Sequence, residues 1–166
     1  ETFPSLRHVG SYVGPQSTLS KTSAELRALR TAGLTKAYIG VETGDDELLR
    51  KVKKGVDYDE MLRAGRNLIE ADINLSVMVL LGLAGKGEAS VRHALATARI
   101  CNEMKPQYLA ALTVTPTPGT VLYRQMLKGE FQLPDPFETL AEMKQIFENI
   151  TIDQLKFVGT HVSNYL

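Results

Sequence analysis

The most apolar run in the chain is Ile73-Asn74-Leu75-Ser76-Val77-Met78-Val79-Leu80-Leu81. Only two polar residues interrupt it, and both lie near its start. A run of this length and β-branched content is typical of a strand that is buried on both faces, as in parallel sheets. The glycine-rich segment 82–87 then predicts a turn, and residues 88–105 predict a long helix.

The same alternation extends to both sides of this strand. Further strands are predicted at residues 7–13, 36–42 and 107–114. The helices between them begin at Thr22, Asp57 and Asp135, each followed three residues later by a glutamate, as in a capping box. A strand followed by a helix therefore recurs about four times, which predicts an α/β fold with a parallel sheet and right-handed crossovers.

Helical spacing predicts which side chains face the core. On the long helix these are Val91, Ala94, Leu95, Ala98, Cys101 and Met104. On the last helix they are Phe137, Leu140, Phe147 and Ile150. Cys101 is thus predicted to be a core thiol and not a nucleophile. Beyond residue 150, the apolar residues Leu155, Phe157 and Val158 are compatible with an edge strand.

The composition limits the size and class of the protein. The chain has 166 residues, of which 43% are hydrophobic, and this suffices for the core of one domain. We assign residues 1–150 to that domain and residues 151–166 to a tail or edge strand. Because 19 basic and 19 acidic side chains cancel, we expect no broad nucleic-acid surface. No apolar run approaches the ~20 residues of a membrane span. No signal peptide is recognisable either, so we expect a cytoplasmic protein.

The cysteine and histidine residues argue against a metal site in this chain. The single cysteine excludes an internal disulfide, and alone it cannot hold zinc or an iron–sulfur cluster. The histidines are His8, His93 and His161, and they have no metal-ligand spacing.

Glu42 stands at a predicted strand end, between Gly40 and Gly44. In parallel α/β folds, ligands bind at the carboxyl ends of the strands. A carboxylate at that place can accept hydrogen bonds from ligand hydroxyls; alternatively, it caps the following helix in a tight turn. The basic residues that follow, Arg50, Lys51, Lys53 and Lys54, are more typical of a solvated helix end than of a site.

Two other strand ends are rich in glycine or proline. Residues 82–87 do not match a P-loop, because no hydroxyl follows Lys86, and their glycine spacing does not match a dinucleotide-binding loop. A flexible turn is the favoured interpretation, and backbone contact with a flat apolar ligand stays open. Residues 115–120 by themselves predict only a turn fixed by prolines.

Taken in order, these three segments match the motifs of a known family. Residues 38–49, followed by Lys53-Lys54-Gly55, are similar to the segment "GVESG…vLk…nKG". Residues 80–88 are similar to "ilGlPGET", and residues 115–123 are similar to "P.PGTpLY". The ordered set resembles the radical S-adenosylmethionine (radical SAM) superfamily, in particular its Fe–S oxidoreductases of the elongator and oxygen-independent coproporphyrinogen-oxidase type.

The resemblance implies a TIM-like partial (β/α) barrel of about six units. In that family, a Cys-x3-Cys-x2-Cys loop holds a [4Fe–4S] cluster. An electron from the cluster cleaves bound S-adenosylmethionine to a 5′-deoxyadenosyl radical, which abstracts hydrogen from the substrate. The cofactors expected of the full-length protein are therefore S-adenosylmethionine and a [4Fe–4S] cluster. The identity of the substrate does not follow from the resemblance.

The resemblance also implies roles for the matching positions. Glu42 would accept hydrogen bonds from the ribose hydroxyls, and Lys54, or its neighbour Lys53, would pair with the methionine carboxylate. The adenine ring would lie against Leu80, Leu81, Gly82, Val114 and Pro116. A further ligand-facing contact would come from Tyr12 or Ser11.

The chain departs from the family pattern at three points. It has no Cys-x3-Cys-x2-Cys motif, Ala84 replaces a proline, and Met78 stands where some relatives have an acid. We therefore expect the C-terminal part of a radical SAM core, with the cysteine loop upstream of Glu1. We expect neither cofactor to be found bound in this fragment alone, and we expect the fragment to form no cluster and to be inactive. An exposed sheet edge near residues 7–13 would favour a homo-oligomer.

Two other classes of protein compete with this interpretation. A non-catalytic α/β binding module without a cofactor explains the absent cysteines but does not explain the ordered motifs. Half of a barrel lyase or aldolase would need a Schiff-base lysine at a strand end. Lys36 begins its strand and Lys54 ends a helix, so neither fits that role.

Overall fold

Five parallel strands alternate with helices in residues 8–164, the part of the chain that the structure, a computed structural model, describes. The elements in chain order are β1 Val9–Val13, α1 Pro15–Leu19, α2 Ser23–Thr31, β2 Leu34–Glu42, α3 Asp46–Lys51, α4 Tyr58–Glu70, β3 Asn74–Leu81, α5 Glu88–Met104, β4 Tyr108–Thr113, α6 Val121–Leu127, α7 Pro136–Glu148 and β5 Lys156–Val158. The strands lie in the sheet in the order of the sequence, β1-β2-β3-β4-β5. The predicted alternation of strands and helices is therefore confirmed.

The side chains of the strands alternate between two unlike faces of the sheet. On β2, Ala37, Ile39 and Val41 are fully buried under the helices, whereas Lys36 and Tyr38 on the other face are half-buried. We call this second face the open face; one register row across it consists of Tyr12, Tyr38, Ser76, Tyr108 and Lys156. Since successive residues point to opposite sides, the register fixes which residues share each face.

Strand β3 is less buried than its apolar sequence predicts. Its helix-covered face is closed, but Met78 and Leu80 on the open face are only half-buried, and Asn74 is exposed. The prediction of burial on both faces is therefore correct for one face. The reason is that the helices α4, α5 and α7 pack against the same side of the sheet, where they contribute Met61, Leu68, Ile100, Met104 and Ile146 to the core.

Two predictions of buried helix faces need correction. On α5, Val91 and Leu95 are 40% and 45% exposed, although the rest of the predicted stripe is buried. On α7, Phe137 is 82% exposed. The buried positions of α7 are Thr139, Glu142 and Ile146, so the helix turns a partly polar stripe towards the core.

Other local predictions are confirmed. Thr22, Asp57 and Asp135 each form a capping box with the glutamate three residues later. Cys101 is 1% exposed in the core, and burial raises the pKa of its thiol to about 12. Strand β5 forms at the edge beside β4, and Phe157 packs edge-on against Phe147.

Arg7, the first residue of the strand predicted at 7–13, lies outside the described residues, and the division into residues 1–150 and 151–166 stays a prediction. Within residues 8–164, no helix combines the length and the hydropathy required to cross a bilayer.

Candidate functional site

The carboxyl ends of three neighbouring strands meet at one edge of the sheet. Strand β2 ends at Glu42, β3 at Leu81 and β4 at Thr113. Glu42 is paired with Val79 and Thr113 with Leu81, so the loops that follow these strands are adjacent. These strand ends and the loops after them contain most of the residues that the sequence singles out.

Glu42 and Lys54 form an ion pair at this edge. Lys54 Nζ donates a hydrogen bond to Glu42 Oε1 at 3.0 Å, and the two side chains are 20% and 26% exposed, respectively. The short helix α3 reverses the chain between them, since the Lys54 amide bonds back to the Leu49 carbonyl at 3.0 Å. Lys53, the alternative cation, is exposed. The structure therefore brings Lys54 to Glu42 and leaves Lys53 outside this pair.

The ion pair lies over Gly40, on the open face of the sheet. A Cβ atom at Gly40 would lie 2.3 Å from Glu42 Oε1 and 3.1 Å from Lys54 Nζ. Glu42 itself has a φ of 63°, a left-handed conformation that is uncommon for a residue with a side chain. The carboxylate thus folds back over the strand end because Gly40 leaves room for it.

Helix capping, the alternative role for Glu42, is wrong. Helix α3 is capped by Asp45, whose Oδ1 accepts hydrogen bonds from the amides of Glu47 and Leu48 at 2.8 and 3.1 Å. The contact with Lys54 uses one oxygen of Glu42 and one of the three ammonium protons. The second carboxylate oxygen and the other protons can therefore bind a ligand that carries hydroxyl and carboxylate groups.

The end of β3 presents an apolar side chain and a bare backbone. Leu80 lies half-buried on the open face, whereas the Leu81 side chain is 3% exposed and faces the helices. Gly82 has a φ of 76°, and a Cβ atom there would lie 3.2 Å from Val114 Cγ1. Only Leu80 and the backbone of Leu81 and Gly82 can thus contact a ligand on this side.

A strand-end apolar cluster lies next to this backbone. Its members come from the three loops and the helices after them: Leu48, Leu83 and Val114, with Leu80, Ala84, Leu122 and Leu133 packed against them. A cavity of about 260 Å³ borders the cluster, lined in part by Leu48, Leu83, Leu122 and Lys53. The cluster and the cavity thus give this edge of the sheet an apolar surface between α3 and α6.

The two predicted site residues that remain are Pro116 and Tyr12. Pro116 is half-buried, two residues after Val114 in the chain. Tyr12 is 78% exposed and is paired with Tyr38, with 5.2 Å between their ring centroids. Tyr38 precedes Gly40 by two residues on the same face, so the row of Tyr12 and Tyr38 lies about 7 Å along the strand from the row that the ion pair covers. A contact between Tyr12 and the ligand stays a prediction.

Behind the loops lies a buried polar chain that sequence reasoning missed. Glu142, 2% exposed, accepts a hydrogen bond from the Gly82 amide at 2.7 Å and another from the Ser90 hydroxyl. His93, fully buried, has its Nδ1 2.8 Å from Thr43 Oγ1 and its Nε2 3.6 Å from Glu142 Oε1. Glu142 lies between Thr139 and Ile146 on the buried stripe of α7, which apolar spacing in the sequence does not reveal because two of these three residues are polar.

Burial governs the protonation of the two titratable groups in this buried polar chain, His93 and Glu142. It lowers the pKa of His93 from 6.5 to about 4, so the imidazole is neutral at pH 7. It raises the pKa of Glu142, while the hydrogen bonds from Ser90 and Gly82 act in the opposite direction. The Asp45 amide donates to Thr43 Oγ1 at 3.0 Å, and the Thr43 hydroxyl can in turn donate its proton to His93 Nδ1 at 2.8 Å.

The described residues do not fit an iron–sulfur cluster. Among residues 8–164, no group of three or more His, Cys, Asp or Glu side chains could hold a metal ion. Cys101 is sealed in the core with a raised pKa, whereas a cluster ligand must be an accessible thiolate. The strand ends, in contrast, fit a ligand that is apolar on one side and carries hydroxyl and charged groups on the other.

Comparisons with known proteins agree with this architecture. A family model described as "Radical SAM superfamily" matches residues 10–98. The chain is 28% identical over 165 residues to the heme chaperone HemW of Bacillus subtilis (strain 168), in a match that covers 91% of this chain and 41% of that protein.

Two solved structures share the fold. The archaeal Methanocaldococcus infernus Elp3 with an N-terminal deletion matches with a TM-score of 0.72 and 16% identity, over 91% of this chain and 34% of that one. Coproporphyrinogen III oxidase (HemN) from Escherichia coli, described as a radical SAM enzyme, matches with a TM-score of 0.64 and 16% identity, over 85% and 31%. These similarities confirm the predicted partial-barrel fold. The chain spans less than half the length of each of these proteins.

Proposed function

The chain belongs to the radical SAM superfamily, and from this premise we propose that the carboxyl ends of β2, β3 and β4 bind the S-adenosylmethionine of a radical Fe–S oxidoreductase. Full-length members of the superfamily use S-adenosylmethionine and a [4Fe–4S] cluster. Bound S-adenosylmethionine, once reduced by one electron, supplies the 5′-deoxyadenosyl radical that abstracts hydrogen from a substrate.

The observation that carries the proposal is the Glu42–Lys54 pair over Gly40. A carboxylate is a double acceptor suited to a ribose diol, and an ammonium group is a point charge suited to a carboxylate. The side chains of Lys54 and Glu42 are only 20% and 26% exposed, so their contacts with a ligand are less screened than those of surface charges. In the proposal, Glu42 holds the ribose and Lys54 the methionine carboxylate.

The apolar side of the site suits the adenine ring. Leu80, Val114 and Pro116 offer apolar contacts, and Leu81 and Gly82 offer backbone. Because Gly82 has no side chain, the ring can approach its backbone closely; a Cβ atom there would also lie 3.2 Å from Val114 Cγ1. These residues orient the adenosyl group and exclude water from one of its faces. Tyr12 would contact a part of the ligand that lies farther from the ion pair, or it would contact a substrate.

The cluster must be supplied by residues other than those described. Cys101 is unsuited, and residues 8–164 contain no alternative set of metal ligands. We therefore assign to this part of the protein the binding and orientation of S-adenosylmethionine, and we assign the cluster to another part of a longer polypeptide. The substrate of such an enzyme stays open.

A second candidate is a module that binds an adenosyl ligand without catalysis. The absence of cluster ligands among residues 8–164 favours it, while the family membership favours the enzyme. Both candidates share the same ligand site and differ only in the cluster.

Calorimetric titration of S-adenosylmethionine into the purified chain tests the site. We expect one ligand per chain and a loss of affinity in Glu42→Gln; a wild-type chain that binds no ligand would contradict the proposal. Reconstitution with iron and sulfide tests the cluster assignment. We expect no cluster absorbance from this chain, and a stable [4Fe–4S] spectrum would refute that assignment.

A further inference from the structure

The two loops that form the proposed ligand site are joined behind it by buried polar groups. Thr43 follows Glu42 directly, and Gly82 follows the end of β3 directly. Between them lie His93 on α5 and Glu142 on α7. Thr43 and His93 are fully buried, and Glu142 is 2% exposed.

The contacts lead from both loops to Glu142. The Asp45 amide donates to Thr43 Oγ1 at 3.0 Å, and Thr43 Oγ1 lies 2.8 Å from His93 Nδ1. His93 Nε2 lies 3.6 Å from Glu142 Oε1, an electrostatic contact too long for a hydrogen bond. The same Glu142 oxygen accepts the Gly82 amide at 2.7 Å. The two loops are thus connected by hydrogen bonds at both ends and by one electrostatic contact, between His93 and Glu142, in the middle.

A second contact attaches the first loop to the same helix. The Gly44 amide donates to Thr97 Oγ1 at 3.3 Å, and a Cβ atom at Gly44 would lie 2.1 Å from the Ala96 carbonyl oxygen. The loop after Glu42 therefore sits directly on α5, one turn from His93. The position of this loop therefore depends on the position of Ala96 and Thr97 on α5.

Burying a carboxylate and an imidazole at one point costs free energy that an apolar core would not require. His93 Nε2 has no hydrogen-bond partner among the described residues. The need to give every buried polar atom a partner therefore does not by itself explain why these groups are here. What the arrangement does achieve is a link between Gly82 and the residue next to Glu42, two positions that belong to different loops.

We propose that His93 and Glu142 are positioning residues that fix the spacing between the Glu42 side and the Gly82 side of the site. They do not touch the ligand; they act through Thr43 and the Gly82 amide. The effect of these residues on binding of the adenosyl group rests on the proposed function. The coupling between the two loops does not.

The coupling is tested without ligand, by ¹H–¹⁵N spectra of the amides of Gly82 and Asp45. Thr43→Val removes the hydroxyl at nearly constant volume. We expect it to shift the Gly82 amide signal, although Gly82 lies on another loop, and we expect Glu142→Leu to shift the Asp45 amide signal. Unchanged distant signals in both variants would overturn the proposal.

The consequence for binding is tested with S-adenosylmethionine and with 5′-methylthioadenosine, which lacks the carboxylate. Glu142→Leu removes the acceptor, and we expect a loss of roughly tenfold in affinity for both ligands. Glu142→Gln keeps an acceptor for the Gly82 amide and should restore most of the affinity. Ile146→Ala, on the same helix and in the core, is the matched control for lost stability and should bind nearly as the wild type does.

The outcomes separate the two claims. If the wild type binds neither ligand, the proposed function fails, while the amide signals still decide the coupling. If the wild type binds and Ile146→Ala weakens binding as much as Glu142→Leu does, Glu142 is merely structural and the proposal is overturned. Should Glu142→Leu not fold, Thr43→Val is titrated in its place, with the same loss expected and wild-type affinity counting against the proposal.

Discussion

Lys54 Nζ lies 3.0 Å from Glu42 Oε1, and the two side chains meet in the space that Gly40 leaves empty. The chain reaches this arrangement by a left-handed residue at the strand end and a short helix that returns Lys54 to it. The ion pair is therefore a product of backbone geometry at three places, and each of them can be perturbed separately.

Replacement of Gly40 by alanine should displace the ion pair. A Cβ atom there would lie 2.3 Å from Glu42 Oε1, and both side chains can move away from it. We expect a loss of about tenfold in affinity for S-adenosylmethionine and little change in the free energy of unfolding. The control is Gly10→Ala, also on the open face, where the Cβ atom would lie 3.0 Å from the Tyr38 ring. Equal affinities of the two variants would contradict the role of Gly40.

Lys54 should recognise only the carboxylate of the ligand. Lys54→Gln removes the charge, and we expect roughly tenfold weaker binding of S-adenosylmethionine, because a charge-assisted contact is lost. The affinity for 5′-methylthioadenosine, which has no carboxylate, should change little. Lys53→Gln is the matched control and should leave both affinities unchanged, since Lys53 is exposed and outside the pair. Calorimetry with both ligands distinguishes these outcomes.

Much of the fold was predictable because it depends on short-range patterns. Capping boxes and the alternation of apolar runs determine where helices begin and which strands are covered. The error at Phe137 has a physical reason. The buried stripe of α7 contains Thr139 and Glu142, so a search for apolar spacing selects a neighbouring stripe.

The site was predictable only in part. The family motifs place Glu42 and Gly82 at strand ends and Lys54 after the short helix that follows Glu42, and parallel strands bring the two strand ends together. The role of Glu142 was not predictable, because its partner Gly82 is 60 positions away and a glutamate on a helix is usually solvated. The pairing of Glu42 with Lys54 likewise depends on the conformation of α3, which the motif does not specify.

The exposed edge strand β1 should support self-association. Its residues Val9 to Tyr12 are exposed, and β1 has a paired strand on one side only, β2, among the described residues. Unpaired strand edges bind other edges, and an added charge opposes this. We expect light scattering to show a mass that rises with concentration and falls in Ser11→Lys. Ser17→Lys, on the exposed surface of α1, should behave as the wild type does. A strict monomer at all concentrations would refute the expectation.

The buried His93 should make stability depend on pH in a defined direction. Burial lowers the pKa of His93 from 6.5 to about 4 in the folded chain, so the unfolded chain binds a proton first as the pH falls. The contribution of neutral His93 to the free energy of unfolding is therefore fully present above pH 6.5. It is lost progressively as the pH falls to about 4, and the total loss is about 3 kcal/mol.

Glu142 acts with the opposite sign, because burial raises its pKa and the folded chain then holds its proton more firmly than the unfolded chain does. Its contribution to stability therefore increases as the pH falls. Urea unfolding between pH 7 and pH 4 separates the two groups. Relative to the wild type, His93→Gln should show a flatter decline in the free energy of unfolding, and Glu142→Gln a steeper one. If all three proteins lose stability in parallel, neither buried group titrates as the structure indicates, and the acid sensitivity arises from surface carboxylates instead.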